Sequence, residues 1–343
     1  MKIYSWKELK EKYPTWDTLL LGNGASIAIH SEFCYPSLYN KAKSDGLLSQ
    51  SEAIFKQFDT ENFEQILLAC WYAEKVNAAL GITVIEGGSD ILKNASDEVR
   101  NSLINAVHAV HPIFSMGSKL ENVLNTISEF AKDFKTIFVL NYDLLFYWAM
   151  NLYNTNHRNW FKDLFVRDSE FVFDLDEYRK PYRPNNGASL VFYPHGNIFI
   201  VRDCVGIEKK LNLGRENNFL ECIKNAWESG ALPVFVSEGK SEQKLNAIRR
   251  SRYLSRVYED ILSKEIKESL VIYGWSFSEN DGHIVEAIAK NDIRRIAVSV
   301  YTGGSDEENR IFCDRVNENV RTFKGNVETI FFDSRSPGCW NNK

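Results

Sequence analysis

The chain has 343 residues, enough to bury about three quarters of its unfolded surface, so a core can form without a disulfide or metal staple. Apolar residues at 44% and charged residues at 25% exclude wholesale disorder. Lys+Arg 41 against Asp+Glu 46 leaves a net charge of −5, which argues against a protein that works by coating nucleic acid, and no direct nucleic-acid binding is expected. The opening segment Met1-Lys2-Ile3-Tyr4-Ser5-Trp6-Lys7-Glu8 has no apolar run of the secretory kind. The most apolar stretch, 136–150, carries Asn141 and Asp143 in its middle and is too short and polar to span a bilayer. No membrane partner is expected. The six cysteines, Cys34, Cys70, Cys204, Cys222, Cys313 and Cys339, contain no C-x-x-C pair, so free thiols in the cytoplasm are expected rather than a disulfide framework or zinc ribbon.

In chain order, short β-rich runs occur at 18–22, 136–141, 189–194, 233–237, 270–274, 296–301 and 328–332. Most are continuously apolar, as strands buried on both faces of a parallel sheet are. Helical patterns separate them. Phe63, Ile66, Leu67, Cys70 and Trp71 recur at helical spacing, as do Val99, Leu103, Ala106, Val107 and Val110. A third set, Leu120 to Phe134, is preceded by a capping box at Ser118 and Glu121. Strands alternating with helices predict an α/β fold of the Rossmann-like, doubly wound kind. The gap between the first two strands predicts a helical insertion at about 40–133 within a single domain spanning 1–343. The aromatic, Pro- and Asn-Gly-bearing stretch 154–187 is expected to be loop with little regular structure.

The first strand runs into Gly22-Asn23-Gly24-Ala25-Ser26. A strand followed by a Gly-rich turn suits phosphate, because glycines admit a close approach and backbone N–H groups bind the oxygens. It lacks the Gly-Lys-Ser/Thr of a P-loop and the third glycine of G-x-G-x-x-G, and a tight strand-to-helix turn is the competing explanation. The second strand ends in Asn141-Tyr142-Asp143, at the strand end where open α/β sheets bind ligands. Asp143 also suits a helix cap, but capping leaves an amide at Asn141, inside an apolar run, unexplained. The third strand ends in His195-Gly196, a candidate general base. The run 270–274 ends in Gly274-Trp275-Ser276, with Asp281 beyond, a turn suited to a ribose or phosphate. His108 and His111 are expected to be no metal site, because no third ligand lies nearby in sequence. The six basic residues from Lys240 to Arg256 predict a cationic helix with a solvated face.

Taken in order, these segments resemble the sirtuin fold, and more closely the sirtuin-like NADases of bacterial antiphage defence. Gly22 to Ser26 resembles the family's NAD-holding Gly-Ala-Gly-x-Ser loop, Asn141-Tyr142-Asp143 its catalytic Asn-x-Asp, His195-Gly196 its catalytic His-Gly, and Gly274-Trp275-Ser276 its Gly-Thr-Ser. Residues 233–239 resemble its strand ending in Gly and Glu, 298–303 its late strand near the adenosine, and Asp281 the acid that follows in defence-type members. The resemblance runs from about Leu19 to Ser305. The deacylases' four-cysteine ribbon has no counterpart, since only Cys204 and Cys222 fall in that interval, which disfavours deacylation. The resemblance implies NAD+ cleavage to nicotinamide and ADP-ribose, with NAD as substrate and no metal. Asn141 and His195 would be catalytic and Asp143 would support them. Gly22, Asn23, Gly24, Ala25 and Ser26 would hold the pyrophosphate, and Gly274, Ser276 and Asp281 the adenosine side. It further implies an antiphage effector in a homo-oligomer or a hetero-complex with a regulatory partner, a helicase-like ATPase or a nucleotide-sensing subunit, contacting the cationic helix or the insertion. A module sensing NAD or ADP-ribose without turnover, and a residual deacylase or ADP-ribosyltransferase, are the competing expectations.

Overall fold

The computed structural model describes residues 2–33, 37–49, 51–83, 85–86, 89–110, 117–166, 170–211, 219–236 and 239–342. Among them, eight strands form one sheet. They are β1 (Ile3–Tyr4), β2 (Thr18–Leu21), β3 (Thr136–Val139), β4 (Phe161–Lys162), β5 (Ser189–Phe192), β6 (Ser269–Tyr273), β7 (Arg295–Val300) and β8 (Glu328–Asp333). Their spatial order is β1-β8-β7-β6-β2-β3-β5-β4, and every pairing is parallel. Every residue of β2, β3, β5 and β6 is buried, which accounts for their unbroken apolar runs: both faces are covered by other elements. The inner order β5-β3-β2-β6-β7-β8 is that of dinucleotide-binding sheets. The chain builds outward from β2, returns, and builds outward on the other side from β6, so the switch point lies between β2 and β6.

A second sheet is antiparallel, in the order Leu232–Phe235, Gly196–Arg202, Glu208–Lys210, Glu170–Phe171, Phe165–Val166. It corrects two expectations. The 233–237 run belongs here rather than in the parallel sheet, and Ser237 and Glu238 lie outside the described residues. Pro233, which has no N–H to give a ladder, sits opposite Val201 where the register shifts. The 154–187 stretch carries three two-residue strands and the helix Leu175–Arg179. Segments so short show no periodicity in sequence.

The insertion forms the helices Leu38–Ser44, Glu52–Gln57, Phe63–Leu80, Ile91–Val110 and Gly117–Ala131. It also holds a small antiparallel pair, Ile85–Glu86 with Ser89–Asp90, so it is not helical throughout. The expected Ser118 cap and the His108/His111 pair fall outside the described side chains. Phe63, Ile66, Leu67, Val99, Leu103 and Val107 join the same apolar core as the strands, so the insertion is packed into the molecule. The Phe63–Leu80 helix leans on the Leu232–Phe235 strand of the second sheet. No helix among the described residues is long and apolar enough to cross a membrane.

Candidate active site

The carboxyl ends of β2, β3, β5 and β6 open into one cleft of about 1300 Å³, lined by Gly22, Asn23, Gly24, Asn141, Asp143, His195, Gly274, Ser276 and Asp281 among others. Of the candidate residues drawn from the sequence, only Ala25 and Ser26 do not line it. Both are buried in the short helix Asn23–Ile27 just beneath.

The two glycine turns are built against each other at the switch point. Gly24 N–H donates to the Gly274 carbonyl (2.7 Å) and Gly22 N–H to the Tyr273 carbonyl (2.9 Å). Gly274 has φ +69°, and a Cβ there would lie 2.2 Å from the Ala25 nitrogen. These glycines are therefore required by the crossing of two backbones. Ala25 N–H bonds the Gly22 carbonyl, so the N–H groups of Gly22, Gly24 and Ala25 are already committed, and Asn23 is the exposed residue of the turn.

Asn141, Ser26 and Asp143 form a buried chain. Asn141 Nδ2 donates to Ser26 Oγ (2.7 Å), and Ser26 Oγ donates to Asp143 Oδ2 (2.5 Å). Asp143 Oδ1 accepts the Leu145 N–H (2.9 Å), at the start of the helix Leu145–Asn156. The cap position of that helix is Leu144, so Asp143 takes the helix's first N–H from one residue before the cap while it anchors Ser26, and burial pushes its carboxyl up, opposed by the Ser26 and Leu145 bonds. With Nδ2 fixed, Asn141 Oδ1 is left buried without a hydrogen-bond partner, an uncommon state for a buried polar atom. Asn197, fully buried, supports the turn from below, donating to the carbonyls of Asn141 (3.3 Å) and Asp143 (2.9 Å). Sequence reasoning missed it, although an amide inside the apolar run 196–201 was the available signal.

His195 lies where the chain leaves β5 for the second sheet. Gly196, with φ +75°, makes the bend; a Cβ there would strike the Val234 carbonyl at 2.1 Å. The Val236 N–H holds the His195 carbonyl (2.7 Å). Behind the ring stands His283, with Nε2 to Nε2 at 2.9 Å. His283 also meets Ser241: its backbone N–H donates to Ser241 Oγ (2.7 Å), and Nδ1 lies 3.2 Å from the same oxygen. Asp281 completes the cluster, accepting from Lys244 Nζ (2.8 Å) and Trp275 Nε1 (3.1 Å). Burial holds His195 well below the usual histidine range, against the pull of the Asp281 charge, and it lowers His283 to about 4. For Asp281 burial acts upward, but His195, the Lys244 charge and the two hydrogen bonds outweigh it and bring the carboxyl down to about 2.

Asp281 stands with the histidines, both of its oxygens taken by protein donors. Of the six basic residues of 240–256, Lys244 is buried and paired with Asp281, while Lys240, Arg249, Arg250, Arg252 and Arg256 are exposed, so the solvated cationic face holds at those five positions. The fold also assembles a three-ligand group that linear spacing concealed: ligand atoms of His195, Asp281 and His283 lie within 4.8 Å of one another. Each already has a protein partner. His283, two residues past Asp281, could have been noticed from the sequence; nothing in the sequence pointed to Ser241.

No curated protein matches the chain. The model of the family described as "Domain of unknown function (DUF4917)" matches residues 19–340, an interval that runs from β2 past β8 and holds every residue of the cleft discussed above; the chain belongs to that family.

Proposed function

We propose that the protein is an NAD+ glycohydrolase of the sirtuin-like kind, cleaving NAD+ to nicotinamide and ADP-ribose. The observation that carries the reading is the meeting of Asn141, with its buried unpartnered Oδ1, and His195 in one cleft at the switch point of a sheet in dinucleotide-binding order. The pyrophosphate would lie at the Gly22–Ser26 turn, and Gly274 and Ser276 would face the adenosine side, as would Asp281 if its bonds to Lys244 and Trp275 open. The nicotinamide–ribose bond breaks through an oxocarbenium-like transition state, as in glycoside cleavage. Asn141 Oδ1 would accept from a ribose hydroxyl or the attacking water. His195, held neutral by burial, is in the protonation state a general base needs. Asp143 would act through Ser26 to fix the Asn141 amide.

In this reading the protein is the effector of an antiphage system, held silent by a partner or an assembly state because uncontrolled NAD+ loss is toxic. The test is incubation with NAD+, alone and co-purified with the products of neighbouring genes, with quantitation of nicotinamide and ADP-ribose. Equimolar release without any acyl-peptide supports the hydrolase. NAD+ binding without release from either preparation supports a sensor and removes the proposal.

A further inference from the structure

His195 lines the cleft, whereas His283 does not; it stands on the far side of the His195 ring and is 1% exposed. A buried imidazole placed behind a candidate base, and itself held by a third group, has the arrangement by which bases are oriented in nucleophilic and acyl-transfer sites. We infer that His283 is a positioning residue for His195: it accepts the His195 Nε2–H across 2.9 Å and leaves the basic lone pair on Nδ1. This assignment deepens the NAD+ hydrolase reading and rests on it for its catalytic consequence, though not for its structural one.

The bonding around His283 admits that tautomer. Ser241 Oγ has two lone pairs, one for the His283 backbone N–H at 2.7 Å and one for the Nδ1–H at 3.2 Å. His283 Nε2 is then bare and faces His195. Tyr258 donates to the His283 carbonyl (2.8 Å) and fixes its backbone. The backbone of Leu140 also favours the charged His195 ring. The groups facing the pair are Asp281 and Lys244. The Asp281 carboxylate favours the imidazolium, and Lys244 and the second imidazole oppose it. The three-ligand geometry invites a metal ion, but Lys244 and Trp275 occupy both Asp281 oxygens and the two Nε2 atoms bond each other, so each donor atom is satisfied without one.

The test uses full-length protein labelled with 15N at histidine, together with His283→Phe and His283→Gln. Phe keeps the ring volume and removes the acceptor. Gln presents an amide oxygen that can accept the Nε2–H. In wild type the bare nitrogen of His195, assigned with His195→Gln, is expected to be Nδ1; in His283→Phe the bare nitrogen moves to Nε2 or the tautomers mix, and His283→Gln restores the Nδ1 form. In nicotinamide release, kcat of His283→Phe is expected to fall ~10²-fold, with KM nearly unchanged and partial recovery in His283→Gln. A bare Nε2 on His195 in wild type, stoichiometric metal bound to His195, His283 and Asp281, or an unchanged His195 spectrum in His283→Phe would overturn the inference. If wild type releases no nicotinamide, the NAD+ reading fails and the spectra alone still decide the positioning role.

Discussion

The side chains that matter most are those whose polar atoms are buried and counted. The Asn141–Ser26–Asp143 chain leaves one acceptor, Asn141 Oδ1, without a partner, as Asn197 Oδ1 is beneath it, and a buried orphan calls for an explanation such as strain, a catalytic role or a bound water. Removing the middle link tests the arrangement. Ser26→Ala strands the Asn141 amide and takes one bond from a buried carboxylate, and is expected to cost about 1–3 kcal/mol in denaturant unfolding. A change below ~0.5 kcal/mol would mean that the chain does not form. The histidine pair predicts the pH dependence. Both rings have folded pKa values below the unfolded value of 6.5, His283 at about 4, so the unfolded chain binds more protons and stability must fall as pH drops below 6.5. Asp281, lowered to about 2, stabilises above its unfolded value and loses that contribution only below pH 4. Thermal midpoints between pH 7 and pH 5 should therefore decline, and His283→Gln should flatten the decline. A flat wild-type profile over that window contradicts the burial account.

At the level of elements, the two glycine turns are one structure. Gly274 and Gly46 share φ +69°, but a Cβ on Gly274 would strike the Ala25 nitrogen at 2.2 Å while Gly46 has nothing within 4 Å. Gly46→Ala is expected to cost about 1 kcal/mol from backbone strain alone. Gly274→Ala must also part β6 from the Asn23–Ile27 helix and should cost several times more, with loss of any NAD+ binding; equal costs would show that the turns are not in contact. The parallel strands were legible because strands covered on both faces are apolar without alternation, and Asn141 was legible because an amide interrupts such a run. The second sheet was not. Its strands at Phe165–Val166 and Glu170–Phe171 are too short for any period, and Gly196–Arg202 follows β5 so closely that only the first of the two, at 189–194, was read as a strand. The cluster of His195, His283, Ser241, Lys244 and Asp281 was hidden for a different reason: three separate stretches contribute to it, 195, 241–244 and 281–283, and only the fold sets their spacing.

Over the whole molecule, the chain's two ends close on the cleft. β1 pairs with β8, the Trp6 N–H donates to Ser336 Oγ (2.8 Å), and the buried Trp340 Nε1 donates to the Ala25 carbonyl (2.8 Å). The glycine turn is thus held from beneath by residues more than three hundred positions away, and Trp340→Ala, which vacates a site 2% exposed, is expected to cost about 3–5 kcal/mol. This cleft is proposed to break the nicotinamide–ribose bond of NAD+ using Asn141 and His195. The most direct measurement is nicotinamide release at protein concentrations approaching that of NAD+, for wild type, Asn141→Ala and His195→Ala, each shown to be folded and each also assayed with its co-purifying partners. Release by wild type at rates at least ~10²-fold above both variants is the result predicted. Equal rates in wild type and Asn141→Ala, or no release from any preparation, would contradict it.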